Sequence, residues 1–253
     1  MMTLVAPAAA RAQTDASEQV YRVFLPVDVP VIAVTTATAI VPYAVASQII
    51  EPSCPCAASS VNAFDRGTIG NHSDVADWIS SATVGAAIGV PLLVDWLALR
   101  NHRVWLDDAI VFAETMSVNG AFVTLSKYTV QRPIPRAYSD PVVAASPSSY
   151  RSFYSGHTSV AFAALSTAAV TANLRYDLTW EPWAVTLLVG GSVAVERVVS
   201  GYHFPTDVLV GAAAGTLIGT AVPLLHVRAP GLRVSLFRPP IGTGSGVAVA
   251  GMF

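Results

Sequence analysis

The stretch Arg197-Val-Val-Ser-Gly-Tyr-His203-Phe-Pro-Thr-Asp207 joins two apolar segments and carries an arginine, a histidine and an aspartate. Pro205 suits the first turn of a helix, because the N–H that it lacks would have no partner there. His203 and Asp207 are four residues apart and share a face if the helix has begun between them. Free N–H groups and the positive end of the helix dipole favour an anion at such a helix start. The stretch therefore predicts an anion site between two helices.

Two upstream pieces carry the same kind of chemistry. Ser155-Gly156-His157-Thr158 follows a polar, proline-rich loop and opens another apolar helix. Ser155 is typical of an N-cap, and Gly156 allows a backbone N–H to approach a ligand closely. Lys127 ends an apolar segment and is followed by Gln131-Arg132-Pro133-Ile134-Pro135-Arg136. Each piece alone is more often a cap, an ion pair or a surface feature, but their combination favours an anion-binding site.

In their order and spacing, these pieces resemble the signature of the type 2 phosphatidic acid phosphatase (PAP2) family, which shares its fold with vanadium haloperoxidases. The family pattern is Lys, six residues, Arg-Pro; then Pro-Ser-Gly-His; then Ser-Arg, five residues, His, three residues, Asp. The resemblance covers roughly residues 60–225. This chain departs from the pattern at Ile134 in place of arginine, Tyr154 in place of proline and Glu196 in place of serine.

The resemblance implies a phosphatase mechanism and a role for each matching residue. His203 attacks phosphorus to form a phosphohistidine, and Asp207 orients and charge-stabilises it. His157 protonates the leaving oxygen and then activates water. The phosphoryl oxygens are bound by Lys127, Arg132, Ser155, Gly156 and Arg197. No metal or other cofactor is implied.

Ile134 leaves open which residue supplies the guanidinium of the first block. Arg132 and Arg136 each lie two residues away, and Arg132 is preferred because Arg132-Pro133 keeps the Arg-Pro dipeptide. Without either one the site loses a charge-assisted donor pair, which typically costs about 10²–10³ in rate.

Composition indicates a membrane protein. Of the 253 residues 53% are hydrophobic and only 12% are charged, and the mean hydropathy is +0.54. Soluble domains carry about 25% charged residues. No basic run or nucleic-acid motif is present, so a nucleic-acid partner is excluded. Cys54 and Cys56, the two cysteines, are read as loop thiols or a local disulfide, because too few further ligands lie nearby for a metal.

Apolar segments divide the chain into about six predicted membrane helices, at residues 29–50, 75–99, 104–126, 158–174, 180–199 and 206–225. The predicted fold class is thus all-α, a multi-helix membrane bundle of the PAP2/haloperoxidase type. Residues 28–226 form its one domain, and 227–253 form a C-terminal tail. Residues 1–27 form an N-terminal segment, with a candidate signal-peptide remnant ending at Ala12. Gly211, Gly215 and Gly219 recur every fourth residue and predict a close internal helix contact.

Six spans place Lys127, His157 and His203 on one side of the membrane. On the opposite side lie six arginines that have no part in the predicted phosphate site, at positions 100, 103, 175, 228, 233 and 238. By the positive-inside rule that side is cytoplasmic. The chain is therefore placed in a bacterial inner (cytoplasmic) membrane as a multi-pass protein whose site faces the periplasm. A cleaved signal peptide conflicts with this unless residues 29–50 lie at the membrane interface.

The preferred function is a metal-independent phosphatase that hydrolyses a lipid phosphate or diphosphate, with the lipid substrate and membrane lipids as its partners. One alternative is a phosphatase for soluble phosphate esters, or a vanadate haloperoxidase. Another is a catalytically weakened, non-enzymatic member, which Ile134 and Tyr154 would fit. The sequence leaves the lipid and the oligomeric state open.

Overall fold

The computed structural model describes residues 19–228 and the segments 233–237 and 246–250. Six long helices make up the bundle: α1 (Leu25–Ala44), α2 (Asp74–Ala98), α3 (His102–Val130), α4 (Gly156–Tyr176), α5 (Glu181–Val199) and α6 (Pro205–Leu225). Short helical turns lie in the connections, at Ala46–Ile49, Ala58–Ser60, Ala63–Arg66, Pro135–Tyr138, Pro147–Tyr150 and Pro141–Ala144. The predicted helical bundle is confirmed. The candidate signal-peptide site lies outside the described residues.

The tail beyond the bundle contains a short antiparallel hairpin. Its strands are β1 (Arg233–Phe237) and β2 (Gly246–Ala250), with Arg233 opposite Ala250. The sequence analysis predicted only a tail here, because five-residue segments between glycines carry a weak strand signal.

Five of the six long helices are long and apolar enough to cross a membrane, and α4 is the exception. Helix α4 occupies the centre of the bundle and packs against α2, α3, α5 and α6. Its sequence is rich in alanine, serine and threonine, and most of its side chains are buried. A helix surrounded by protein needs small side chains for close packing more than high hydropathy. The expectation of six apolar helices therefore holds for five, with a less apolar sixth inside them.

The outer helices present their apolar side chains outward. Large hydrophobic residues of α2, α5 and α6 are exposed, among them Leu97, Leu188 and Leu217. Trp78, near the start of α2, and Trp180, before α5, are also exposed, at the helix-end positions typical of a membrane interface. Exposed apolar surface of this extent indicates a protein that lies in a lipid bilayer.

Helix α1 packs lengthwise on α3 and runs in the same direction. The Thr35 hydroxyl lies 2.8 Å from that of Ser117, and the Thr124 hydroxyl donates to the Ala39 carbonyl. The helix ends at Ala44 and a separate turn follows, so residues 29–50 are not one segment. Because α1 lies along the bundle, an interfacial placement of this segment across the end of the bundle does not fit the structure.

The glycine series of α6 forms a close contact with α4, as the spacing predicted. An added Cβ at Gly215 or Gly219 would lie under 3.0 Å from a backbone carbonyl oxygen of α4, and one at Gly211 would lie as close to the carbonyl oxygen of Ser155, the N-cap of α4. The backbones of the two helices are therefore in direct contact.

Gly215→Ala is expected to destabilise the protein by about 1–3 kcal/mol, because its methyl group would meet the Ser159 backbone and force α4 and α6 apart. The melting temperature in detergent measures this effect. Gly85→Ala is the matched control, since Gly85 on α2 has open space around its Cβ position. Equal melting temperatures for the two variants would contradict the tight contact.

Candidate active site

A cavity of about 420 Å³ lies at the end of the bundle where α3 and α5 end and α4 begins. Its walls come from four helices, from the loop that joins α3 to α4 and from the link between α5 and α6. The lining residues are Tyr43, Lys127, Ile134, Arg136, Val143, Ser146, Ser148, Ser149, Arg151, His157, Arg197, Tyr202 and His203. Four of these side chains are cationic and none is a carboxylate. The cavity is suited to an anion.

His203 lies buried in the link between α5 and α6. Its Nδ1 is 2.7 Å from the carbonyl oxygen of Ser152, which can only accept, so Nδ1 carries the proton and Nε2 is left with a lone pair. Burial, together with the positive charges of Lys127 and Arg197, holds the pKa of His203 well below its usual range. The imidazole is therefore neutral at pH 7, which is the protonation state that a nucleophile requires.

Asp207 acts on the backbone around His203 more than on its ring. Its Oδ2 accepts from the Ser152 hydroxyl at 2.5 Å and from the Phe204 N–H at 2.9 Å, whereas His203 Nδ1 is 4.0 Å away. The resemblance implied that Asp207 itself orients His203. The geometry instead gives the direct contact to the Ser152 carbonyl, because Asp207 is occupied in capping the first turn of α6.

His157 lies in the first turn of α4, and its Nε2 is 3.2 Å from the Ser81 hydroxyl. The preceding residues do not line the cavity. Ser155 is fully buried and its hydroxyl caps the Thr158 N–H at 3.4 Å, as the N-cap prediction required. Gly156 lies against α3, where an added Cβ would be 3.2 Å from Val123 and 3.7 Å from the Lys127 chain. Of the three, only His157 faces the cavity.

Two buried cations come from the helix ends. Arg197 pairs with Asp77 and donates to the Ser80 hydroxyl at 3.1 Å, and its buried Nε finds no hydrogen-bond partner among the described residues. Lys127 donates to the carbonyl oxygen of Arg151. Both cations border the cavity, and neither is fully neutralised by its described partners.

Arg132 is not placed in the cavity. Its guanidinium donates to Asp207 Oδ1 at 2.6 Å, to Asp65 Oδ2 at 2.8 Å and to the Thr206 hydroxyl at 2.8 Å, and it stacks on the Phe204 ring. The N–H donors of Arg132 are thus taken up by two buried carboxylates, outside the cavity. The assignment of Arg132 to the phosphate does not agree with this geometry, because an arginine paired with two aspartates has no pair of N–H donors left for a phosphate.

Arg136 lines the cavity instead. Its Nε donates to the Ser200 carbonyl at 2.8 Å and its guanidinium stacks on the Tyr202 ring. One terminal nitrogen is buried without a hydrogen-bond partner, 3.6 Å from an Asp74 oxygen. Arg151, from the same loop, is a further cation of the lining that the sequence analysis did not assign.

Ile134 and Tyr154, the two departures beside the matching blocks, are both buried. Ile134 packs with Ala137 and Ala144, and its N–H donates to the Ser149 carbonyl at 2.8 Å. The apolar side chain therefore anchors the loop that carries Arg136 and Arg151 into the cavity.

Asp65 and Ser152 were missed by sequence reasoning. Asp65 precedes the matching blocks by about sixty residues yet contacts Arg132 and Thr206. Burial alone would raise the pKa of Asp65, but the donors of Arg132, Thr206 and Asn62 outweigh it and lower that pKa. No local pattern marks either residue, because their roles depend on contacts distant in sequence.

The sequence and the fold were compared with those of known proteins. Residues 108–230 match the family model of the PAP2 superfamily. The crystal structure of LpxE from Aquifex aeolicus aligns with a TM-score of 0.44 and 23% identity, over 62% of this chain and 90% of that one. No curated protein sequence matches. The matched segment contains Lys127, His157, His203 and Asp207 in the family order, so residues 108–230 of this chain are a PAP2 superfamily domain.

Proposed function

We propose that this protein is a metal-independent phosphatase that hydrolyses a lipid phosphate or diphosphate through a phosphohistidine intermediate. One observation carries the proposal. Among the residues that the structure describes, this cavity is lined by four cationic side chains and no carboxylate, and it contains a buried histidine whose Nε2 keeps its lone pair. A phosphoryl group needs convergent positive donors and a neutral nucleophile, and the cavity supplies both.

In the first step the Nε2 lone pair of His203 attacks phosphorus, and the bond from phosphorus to the leaving oxygen breaks. His157 gives that oxygen its proton. The imidazole of His203 becomes positively charged as the P–N bond forms. Its Nδ1–H donates to the Ser152 carbonyl, which holds the ring in place during this change.

In the second step water attacks the phosphohistidine, and the P–N bond returns its electron pair to Nε2. His157, now without its proton, accepts one from the water, so the enzyme returns to its starting state. Lys127, Arg136 and Arg197 stabilise the negative charge on the phosphoryl oxygens in both steps. These positive charges perform the work that a divalent metal performs in other phosphatases.

The other residues of the matching blocks position the reacting groups in this proposal. Asp207 accepts from the Ser152 hydroxyl and from the Phe204 N–H, and Arg132 neutralises Asp207. Ser155 caps the start of α4. Gly156, the first residue of α4, has no side chain and so lets the helix lie close to Lys127. These roles replace direct phosphate contacts of Arg132, Ser155 and Gly156.

A lipid is the preferred substrate because the cavity lies in a bundle with exposed apolar helices. The phosphate of a bilayer lipid sits at the level of the helix ends, where the cavity is found. Residues 28–226 then form one helical membrane domain. Ile134, Val143 and Tyr43 give the cavity an apolar side beside its cations.

We place the cavity on the periplasmic side of a bacterial inner membrane. The Cys54–Cys56 disulfide lies on the cavity side, where the N–H groups of Ser53 and Cys54 donate to the Tyr150 hydroxyl. Disulfides persist in oxidising compartments such as the periplasm. Arg175 no longer counts in the charge comparison, because it is buried in ion pairs with Asp95 and Asp108. Arg100, Arg103 and Arg228 still favour a cytoplasmic opposite face.

Phosphate release by the detergent-purified protein in EDTA tests the function. The substrates are phosphatidic acid, phosphatidylglycerophosphate, a polyprenyl diphosphate and a soluble aryl phosphate. We expect EDTA-resistant turnover of at least one lipid, faster than that of the aryl ester. Turnover of the aryl ester alone would replace the lipid assignment by a soluble ester, and no turnover by folded protein would reject a phosphatase.

A further inference from the structure

A second cluster of ionisable side chains lies at the opposite end of the bundle. Asp28 is in the first turn of α1, Glu114 lies within α3, and His226 directly follows α6. One ligand atom from each lies within 4.8 Å of the others. The proposed phosphatase mechanism uses none of these residues.

The histidine presents a metal-binding nitrogen to the two carboxylates. Its Nδ1 is 2.8 Å from the carbonyl oxygen of Val222, so Nδ1 carries the proton. A backbone carbonyl on the second ring nitrogen is the usual support of a metal-bound histidine, because it fixes the tautomer. Nε2 then faces Asp28 Oδ1 at 3.7 Å and Glu114 Oε2 at 3.5 Å.

Glu114 supplies an independent sign of a missing ligand. The residue is only 9% exposed, and its buried Oε2 has no hydrogen-bond partner within the described part of the chain. Asp28 is 5% exposed, and its second oxygen already accepts from the Phe24 N–H at 2.6 Å. Among residues 19–228, neither carboxylate has a lysine or arginine in an ion pair. A buried unpaired carboxylate is costly, so a positive charge belongs between these atoms.

The distances favour a metal ion over a proton. A charged N–H···O bond spans about 2.7–2.9 Å, well below the distances found here. A metal with bonds of about 2.1 Å at tetrahedral angles places its ligand atoms about 3.4 Å apart, since twice the bond length times the sine of half the angle gives that value. The observed 3.5 and 3.7 Å agree with the second geometry.

We propose that Asp28, Glu114 and His226 bind a divalent transition-metal cation of the zinc class. Two carboxylates and an imidazole suit Zn²⁺, whereas Mg²⁺ prefers oxygen ligands alone. Three protein ligands leave a fourth position for water. The ion would join α1 to α3 and α6, and thus hold α1, which precedes the matched domain at 108–230, against that domain. The site is separate from the phosphatase cavity and does not depend on the proposed function.

The test is the zinc content of the detergent-purified, tag-free protein after equilibration with Zn²⁺ and removal of free ion. We expect about one Zn²⁺ per chain in the wild type and in His72→Gln, a control histidine exposed at the other end of the bundle. His226→Gln and Glu114→Gln should lose it. A wild type without zinc, or variants that retain it, would overturn the proposal.

Thermal unfolding gives a second readout that needs no variant. Zn²⁺ at a hundredfold excess over its Kd should raise the melting temperature by about 5–10 °C relative to EDTA. Mg²⁺ should leave the melting temperature unchanged. Should His226→Gln fail to fold, Asp28→Asn takes its place, and the absence of a Zn²⁺-dependent shift in the wild type would still refute the site.

Discussion

His203→Ala is expected to lower phosphate release by about 10⁴-fold or more, because the variant has no nitrogen to form the covalent intermediate. The structure explains why no other group takes over. The Ser152 carbonyl fixes the His203 ring through Nδ1. Among the described residues that line the cavity, the only other imidazole is His157, which lies near Ser81. Phosphate release from the preferred lipid measures the loss.

Trapping the intermediate gives a sharper version of this prediction. Brief reaction with a lipid carrying a labelled phosphate, followed by alkaline quenching, should leave acid-labile label on the wild type. His203→Ala should carry none, whereas His157→Ala should still become labelled when a good leaving group removes the need for an acid. His72→Ala is the control for surface histidines. Label that persists in His203→Ala would refute the assignment of the nucleophile.

Arg132→Ala should cost about 3–5 kcal/mol of stability, since it leaves Asp65 and Asp207 buried without their charge partner. A loss of this size lowers the melting temperature in detergent by at least about 6 °C. Activity should fall with it, because Asp207 holds the backbone that positions His203.

Arg136→Ala is the matched comparison. It should lower kcat/KM about 10²–10³-fold, the effect of losing one transition-state donor, and change the melting temperature much less. This pair of variants separates an arginine that supports the site from one that faces the substrate. The opposite pattern, with Arg132→Ala stable but inactive and Arg136→Ala fully active, would restore Arg132 as the phosphate ligand.

Much of the fold could be predicted because its signals are local. Long apolar segments give the helices, and glycines at every fourth position give the contact of α6 with α4. The spacing of His203 and Asp207 around Pro205 gives a helix start. The sequence predicted α4 as a membrane helix like the others, because its alanines and serines reveal a central position only once the surrounding helices are known.

The sequence by itself determined the helical membrane bundle, the family signature and the grouping of Lys127, His157, Arg197 and His203 at one end. These follow from hydropathy, motif spacing and the alternation of spans, which need no knowledge of distant contacts. Only the tertiary structure decided that Ser152, not Asp207, contacts His203, and that Arg136 faces the cavity while Arg132 supports Asp207. The reason is physical. A buried charge takes the nearest partner that folding supplies, and that partner can be distant in sequence, as Asp65 is 67 residues from Arg132.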